Sequence, residues 1–328
     1  MTDINKTDSI RTKIFKAILN GDFVPGEKLP TEREMAKRTG TSRVTVRRAY
    51  EQLEQSHILR RMHGRGTFVA NHSAGNTKTC SQIALLTSIS DQFALEFIRA
   101  IEEILSAKDM LLVLRITDET PEKEELAAID LVGKGVNNLV IWPSGHAFPE
   151  KTFERLRVLG TNMVFFDRVI PRAYADYVGL DNNDAMDKLF TQAAKSELKK
   201  LIFVTHSDLQ VDSDMMRLQA FERNCAERDM EGTIIKISHK EDLTCLPEDI
   251  SPDSRIFCVN DIVANKLKPF ITKQSIYSID GFIAYAVSYK QPIHKMAELA
   301  VSMLLQQQIK GEHWKASRKY CKGELVNV

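Results

Sequence analysis

Hydrophobic residues in the first twenty positions recur with the period of an α-helix. Ile10, Ile14 and Ile18 stand four residues apart, with Phe15 and Leu19 beside them. This spacing predicts a first helix with one apolar stripe along its length. The stretch that follows, NGDFVPGEKLP, contains two glycines and two prolines and ends the periodic pattern.

Two more helices are predicted after this break, joined by a short turn that contains glycine. The first begins with a capping box, in which the Thr31 hydroxyl accepts from the backbone of Glu34 and the Glu34 side chain reaches back. It ends at Gly40, and the next helix starts at Ser42 as its N-cap. The inward face of that third helix carries four residues at helical spacing: Val46, Ala49, Tyr50 and Leu53.

The outward face of the third helix is basic at its N-terminal end, where it carries Arg43, Thr45 and Arg47. The two arginines are one helical turn apart and point the same way. Two helices joined by a short turn in this manner form a helix-turn-helix. Arginine can bind guanine bidentately, and threonine can contact phosphate or a thymine methyl group. A solvated basic helix is the alternative interpretation of the same pattern.

The stretch RRMHGRGTFVAN, residues 60–71, places Gly64 and Gly66 on either side of an arginine. A nucleotide-binding loop would need a third glycine and a helix directly after it. Here the residues TFV follow, and they favour a strand. We therefore predict a hairpin with strands at 58–61 and 67–70, whose turn needs glycine for its positive φ angles.

Beyond residue 83, short apolar runs alternate with longer amphipathic segments. Repeated β-α-β units predict parallel sheets covered on both faces by helices, and hence an α/β fold. The eight predicted strands are residues 83–87, 111–116, 138–142, 163–166, 201–205, 233–237, 256–259 and 276–279.

Polar residues follow several of these strands, at the edge where open α/β sheets bind small ligands. Taken singly, each would be an ordinary turn or cap residue. Together they mix acids, amides and an arginine, which suits a polyhydroxylated ligand because each hydroxyl both donates and accepts hydrogen bonds. They are Thr87, Ser88, Asp118, Asp167, Arg168, Thr205, Ser207, Asn260, Asp261 and Asp280.

Charge is distributed unevenly along the 328 residues, although the net charge is only +1. Residues 1–72 contain 14 Lys and Arg against 8 Asp and Glu, whereas the remainder contains 31 against 36. The basic first part is therefore the one expected to meet a polyanion. A hydrophobic fraction of 43% with 27% charged residues is typical of a globular protein.

Several other classes of protein are disfavoured. The sequence has no secretory signal and no run of about 18 apolar residues, so we expect a cytoplasmic protein without membrane contact. Its five cysteines are widely spaced and form no CxxC pair, so neither disulfides, a metal site nor another cofactor is expected. An α/β enzyme is the rival class, but no nucleotide-binding glycine loop, GxSxG or HExxH motif is present. His146 and His206 follow strands without an evident nucleophile, and surface or turn roles are expected for them.

The run LPTEREMAKRTGTSRVTVRRAYEQLEQSHILRRMHGRGTFV, residues 29–69, closely resembles the winged helix-turn-helix of the GntR family. The resemblance implies that positions matching DNA-contacting residues of that family contact DNA here, with the wing meeting phosphate or the adjacent minor groove. These positions are Arg33, Arg43, Thr45, Arg47, His63, Gly64 and Arg65.

Residues from about 83 to 328 resemble the ligand-binding domain of LacI/GalR-type repressors, which is related to periplasmic sugar-binding proteins. The resemblance is carried by VFFDR, VGLDNNDA, RLQAF, CVNDIVA, YSIDG and YKQPIHKMAELAVSMLLQQQIKG. By position it implies effector contacts from Asp167, Arg217, Asn260 and Asp280. Phe93, after the first strand, would offer an apolar face to a sugar ring, although a lone aromatic is also an ordinary core residue.

The chain departs from the LacI-type pattern at Ala220 and Gly281, where a glycine and a second acid are usual. It also lacks the basic hinge helix of that family, and a polar linker at 73–82 stands in its place. The implied organisation is a DNA-binding head at 1–72, the linker, and an effector domain at 83–328 with two subdomains between which the chain crosses more than once. A GntR-type head on a LacI-type body is the arrangement of the arabinose-responsive repressors, which this chain resembles throughout.

These features predict a sugar-responsive transcription regulator, a repressor of carbohydrate-utilisation genes that binds double-stranded operator DNA as a homodimer. Sugar binding between the subdomains would favour one hinge angle, and the DNA-binding geometry would change with it. The alternatives are a carbohydrate enzyme and a sugar-binding protein without a direct DNA role.

Overall fold

The computed structural model describes most of the chain. Residue His146 and the first eight positions of the predicted linker lie outside the described residues. The described ranges are 3–70, 81–88, 91–118, 120–144, 148–169, 174–195, 200–208, 211–245, 247–271 and 275–327.

Three helices and a two-stranded hairpin form the N-terminal head. Its elements are α1 (Asp3–Asn20), α2 (Glu32–Thr39), α3 (Arg43–Gln55), β1 (Leu59–Met62) and β2 (Gly66–Val69). The expected local signals are all present. Thr31 and Glu34 form the capping box, Ser42 caps α3, and Gly40 ends α2 with a φ angle of 65°.

The hairpin has the glycine-dependent turn that the sequence predicts. Its strands pair antiparallel from Leu59 opposite Val69 to Met62 opposite Gly66, about one residue away from the predicted bounds. Gly64 and Gly66 have φ angles of 71° and 113°, which residues with a side chain rarely adopt. A Cβ atom on Gly66 would also lie 2.7 Å from the Lys28 side chain, so glycine is needed there for space as well.

The rest of the chain forms two subdomains, each built on a six-stranded sheet. The N-terminal subdomain contains β3 (Gln82–Thr87), β4 (Leu111–Ile116), β5 (Asn138–Ile141), β6 (Asn162–Phe166), β7 (Asp176–Leu180) and β13 (Arg318–Cys321), with helices α4 (Gln92–Ser106), α5 (Pro121–Gly133), α6 (Glu150–Val158) and α10 (Ile293–Lys310). The order of its strands is β13-β7-β6-β5-β3-β4, and all of them pair parallel.

The C-terminal subdomain repeats this design. It contains β8 (Lys200–His206), β9 (Gly232–Ile237), β10 (Ser254–Cys258), β11 (Ser275–Asp280), β12 (Val287–Lys290) and β14 (Glu324–Val326), with helices α7 (Asn182–Ala193), α8 (Asp212–Ala226) and α9 (Asp261–Leu267). Its strand order is β14-β12-β11-β10-β8-β9, parallel except that β14 runs antiparallel to β12. The chain passes between the subdomains after β7, after β12 and after β13.

The α/β fold with parallel sheets is therefore confirmed, and all eight predicted strands occur. Four further strands, β7, β12, β13 and β14, were not predicted. The last two are short strands at sheet edges, β13 mostly exposed and β14 half-buried, so they lack the apolar run that marks a buried strand. Among the described residues no helix is long and apolar enough to cross a membrane.

Candidate DNA-binding surface and effector cleft

The seven residues predicted to contact DNA lie on the α2, α3 and hairpin surface of the head. Thr45 is half-buried, and its hydroxyl lies 2.8 Å from the hydroxyl of the N-cap Ser42. The other six are exposed: Arg33, Arg43, Arg47, His63, Gly64 and Arg65.

Arg47 is held in place by an acid that the sequence did not point to. Its Nε and Nη2 atoms both lie 3.0 Å from Oε2 of Glu32, in the first turn of α2. This hydrogen bonding with Glu32 raises the pKa of Arg47. Glu32 and Arg47 are fifteen positions apart, so their pairing depends on how α2 and α3 cross. The guanidinium is thereby held in a fixed orientation on the surface of α3.

Val44 is a second residue that the sequence-based prediction missed. Its side chain is 56% exposed on the first turn of α3, next to Arg43. An apolar side chain at this position of a recognition helix can contact the methyl group of thymine.

A cleft between the two subdomains brings together all five residues that were predicted to contact an effector. It encloses about 510 Å³, part of it open to solvent. Strand ends, helix N-termini and the second turn of α8 supply the five: Phe93 on α4, Asp167 after β6, Arg217 on α8, Asn260 before α9 and Asp280 at the end of β11. Clefts at the carboxyl ends of parallel strands are where folds of this class bind ligands.

Two acids of the cleft are held in unusual conformations. Asp167 and Asp280 have φ angles of 63° and 129°, a region that residues other than glycine rarely occupy. Both are buried, and burial raises the pKa of Asp167 and raises that of Asp280 well above its usual value. Backbone strain and buried carboxyl groups at one location are typical of ligand sites.

Arg217 and Asn260 each use part of their hydrogen-bonding capacity on the protein. Arg217 donates from Nε to Oδ1 of Asn182 (2.9 Å) and from Nη1 to the carbonyl of Val259 (2.8 Å). Asn260 accepts from the backbone of Val263 as the N-cap of α9, at 3.0 Å. These bonds fix both side chains, and they leave the Nη2 group of Arg217 and the amide nitrogen of Asn260 for a ligand.

Seven more polar or aromatic residues line the cleft besides these five: Asp91, Trp142, Arg168, Ser213, Asp214, His239 and Gln291. Within the described part of the chain, Trp142 Nε1 and Gln291 Oε1 are buried without a hydrogen-bond partner. Gln291 donates to Oδ1 of Asp280 (2.8 Å), and Trp142 packs edge-on against Phe93 at 5.3 Å between ring centres. An unpaired donor and an unpaired acceptor at one cleft are suited to a ligand that hydrogen-bonds.

The expected surface or turn role of His206 is wrong. This residue ends β8, is buried, and its Nδ1 atom lies 2.8 Å from Oδ2 of Asp214, which lines the cleft. Its ring also meets that of His239 edge-on, with the centres 5.0 Å apart. His206 therefore supports the cleft wall through Asp214. The spacing of the sequence alone gave no sign of this contact.

Other polar residues after strands do not line the cleft. Asp118 is exposed and pairs with Lys123 at 2.6 Å. Asp261 is buried behind Asp280, where it accepts from the Ser278 hydroxyl at 2.5 Å. No cluster of His, Cys, Asp and Glu in the described ranges is arranged to hold a metal ion.

We expect Asp280→Asn to stabilise the empty protein at neutral and alkaline pH. The folded-state pKa of Asp280 is raised, so its contribution to stability is present at low pH and is lost as the pH rises through that raised pKa. Asparagine carries no charge and can still accept from Gln291, and each unit of pKa shift corresponds to about 1.4 kcal/mol. Thermal melting between pH 5 and pH 9 should show an advantage for the variant that grows with pH.

Asp109→Asn is the matched control, because Asp109 also has a positive φ angle (56°) but is exposed. It should melt like the wild type at every pH. An Asp280→Asn protein no more stable than the wild type at pH 8 would show that the buried charge does not strain the empty cleft.

Comparison with known proteins agrees with this two-part structure. Residues 6–69 match the model of bacterial regulatory proteins of the gntR family. The chain is 31% identical over 139 residues to the arabinose metabolism transcriptional repressor of Geobacillus stearothermophilus. That match covers 42% of this chain and only 38% of the repressor.

Two solved structures share the fold of the effector domain. A periplasmic binding protein/LacI transcriptional regulator from Alkaliphilus metalliredigens, complexed with D-xylulofuranose, is 20% identical with a TM-score of 0.61, and the match covers 75% of this chain and 97% of that one. A LacI family regulator from Enterococcus faecium with bound ribose is 16% identical with a TM-score of 0.61, covering 75% and 96%. The periplasmic-binding-protein-like fold is thus established for this part of the chain.

Proposed function

We propose that this chain is a sugar-responsive transcription regulator that represses carbohydrate-utilisation genes. The observation that carries the proposal is a cleft lined by all five predicted effector residues, in the same chain as a head with an exposed basic recognition helix. The similar proteins named above act in arabinose metabolism or hold D-xylulofuranose or ribose, which supports a pentose-sized effector. Operator binding would take place in the cytoplasm, on the nucleoid.

In the proposed complex each cleft residue has a defined task. Arg217 donates to hydroxyl groups of the sugar, Asp167 and Asp280 accept from them, and Asn260 donates through its amide. Phe93 packs against the apolar face of the ring. The unpaired Trp142 Nε1 and Gln291 Oε1 atoms each gain a partner from the ligand, which relieves the cost of their burial.

The charges of the cleft favour a neutral effector over a sugar acid or sugar phosphate. Among the described residues, four carboxyl groups and two guanidinium groups line it: Asp91, Asp167, Asp214 and Asp280 against Arg168 and Arg217. Both arginines already donate hydrogen bonds to backbone carbonyls, Arg217 to that of Val259 and Arg168 to that of Pro143. Beside those two arginines an anion would meet the carboxyl groups of Asp91 and Asp214 at short range, so no surplus of positive charge attracts it.

A thermal-shift screen tests both the effector and its charge. A pentose at 100 times its dissociation constant should stabilise the protein by about 2.7 kcal/mol, whereas the corresponding aldonic acid and 5-phosphate should give no shift. Stabilisation by the acid or the phosphate alone would contradict the assignment. The wild type should return any stabilising sugar chemically unchanged after incubation, because we propose no catalytic role for the cleft.

We further propose that the regulator acts as a homodimer joined along sheet edges. β4 and β9 are edge strands of the two sheets, and they expose apolar side chains: Leu111, Leu114, Ile116 and Ile234, of which Leu111 is 69% exposed. Such edges invite pairing with a second copy. A two-fold dimer would present two recognition helices to the two halves of a pseudopalindromic operator.

Leu114→Glu combined with Ile116→Glu should convert the dimer to monomers, because each glutamate would be buried without a partner at the joint. Sedimentation velocity measures the change. Val158→Glu, at a site 68% exposed on α6, is the control and should remain dimeric. A wild type that sediments as a monomer at all concentrations, or a dimer that survives the β4 changes, would refute this interface.

A further inference from the structure

The head is packed directly against the effector domain through α1 and α5. At the end of α5, a Cβ atom on Gly133 would lie 3.6 Å from the ring of Phe15 and 3.8 Å from Nε of Arg11, both on α1. Buried apolar residues of the head and of the N-terminal subdomain form one continuous core cluster. The contact between the two parts is therefore a packed interface.

Ionic contacts, one of them from a buried arginine, reinforce this interface. Arg11 is only 5% exposed, and its guanidinium lies 3.2 Å from Oδ1 of Asp130 on α5. Asp130 also binds Arg115 on β4 at 3.0 Å and Lys134 at 2.8 Å. Burial alone would raise the pKa of Asp130, but Lys134, Arg115 and Arg11 together hold it below its usual value. The carboxylate is thus charged at neutral pH. It binds the head through Arg11 and the N-terminal subdomain through Arg115 and Lys134.

The recognition helix itself is attached to α5. Ser56, the C-cap residue of α3, is buried, and its hydroxyl donor lies 2.8 Å from the carbonyl of Gly133 and 2.9 Å from that of Gln52 in its own helix. Gly135 packs against the same serine, since a Cβ atom there would lie 3.6 Å from the Ser56 Cα atom. Any shift of the C-terminal end of α5 therefore acts on the end of α3.

The opposite end of α5 is connected to the cleft. Arg168, which lines the cleft, donates from Nη1 to the carbonyl of Pro143 at 2.8 Å, and Trp142 next to it is also part of the lining. The adjacent Ser144 donates its hydroxyl to Oε2 of Glu124 at 2.7 Å. Glu124 is fully buried in the first turn of α5. Segment 142–144 thus joins the cleft wall to α5.

We infer that α5 carries the effector signal from the cleft to the recognition helix, with Ser144 and Glu124 as positioning residues at one end and Arg11, Ser56 and Asp130 at the other. The inference rests on the proposed function. A sugar that contacts Trp142 and Arg168 favours one position of segment 142–144. α5 follows that segment, and its contacts with α1 and α3 transmit the shift to the head. In this proposal the packed interface takes the role that the hinge helix has in LacI-type repressors.

The test compares operator affinity with and without a saturating pentose, in full-length protein. The operator is selected from random duplexes by the wild type in both conditions, and affinity is measured by fluorescence anisotropy. Ser144→Ala, Ser56→Ala and Arg11→Met each remove one link of the path. We expect the sugar-dependent change in affinity, typically about 5- to 150-fold for coupled sites, to fall toward 1 in all three, with sugar affinity within about 3-fold of wild type.

A purely structural role would change stability and both affinities while leaving their ratio intact. Lys6→Met, an exposed change on α1, is the control and should keep the wild-type ratio. Inserting four Gly and Ser residues after Ala74 should also keep it, because the linker is not the route. The inference is overturned if the three variants retain the wild-type ratio, or if the insertion abolishes it. A wild type that binds the sugar without any change in operator affinity would instead refute the proposed function.

Discussion

Replacing Arg43 and Arg47 together by alanine should weaken operator binding about 100-fold or more. Each arginine that contacts a guanine bidentately contributes roughly 1–3 kcal/mol to recognition, and the two contributions are lost together. The slope of log affinity against log salt should also become shallower where a phosphate contact is lost. Anisotropy titrations between 50 and 200 mM salt measure both effects.

The fold should survive this double change, because both side chains are exposed and alanine favours a helix. The lost pair between Arg47 and Glu32 lies on the surface, where ion pairs contribute little to stability. The control is Arg99→Ala with Arg155→Ala, which removes the same charge from exposed sites of the effector domain. If the α3 double variant bound the operator as tightly as the wild type, α3 would not be the recognition helix.

Changing Arg217 to alanine should abolish the response to the sugar and reduce sugar affinity about 100-fold or more. Arg217 is 4% exposed, and its positive charge lowers the pKa of both Asp167 and Asp280 against the effect of their burial. Truncating one buried, hydrogen-bonded charge costs about 2–5 kcal/mol of binding, much of it from groups left unpaired. Titration calorimetry with the stabilising pentose measures the loss.

Two further variants separate this effect from loss of folding. Arg217→Lys keeps the charge but cannot reach Asn182, Val259 and the ligand together, so it should fold well and still bind the sugar weakly. Arg223→Ala changes a half-buried arginine on the same helix, one that pairs with Asp187 away from the cleft, and should bind sugar as the wild type does. Full sugar response in Arg217→Ala would place the effector elsewhere.

Local signals made the head predictable from sequence. Capping at Thr31 and Ser42, the glycine at position 40 and the helical spacing of apolar residues depend on neighbours a few positions away. The eight strands predicted beyond residue 83 were predictable for a similar reason, since each is a short apolar run. β13 and β14 were not, because they join their sheets as exposed edges whose pairing depends on distant parts of the chain.

The residues of the cleft were likewise predictable where a local pattern places them, and not where distant contacts do. Asp167, Asn260 and Asp280 directly follow or end strands, so the rule for parallel sheets brings them to one edge. Gln291 follows the unpredicted strand β12, and Asp214 reaches the cleft only because α8 turns it inward with Arg217. The pairing of Arg11 with Asp130 spans 119 positions and two domains, which no local pattern indicates.

The central claim is that one chain couples a sugar cleft to a DNA-reading head. The most direct measurement is the affinity of the full-length protein for its selected operator as the stabilising pentose is titrated. We predict specific binding that is steeply weakened by salt, with an affinity that changes at least about 5-fold at saturation. A pentose that binds the cleft, as judged by its loss in Arg217→Ala, but leaves operator affinity unchanged would contradict the account.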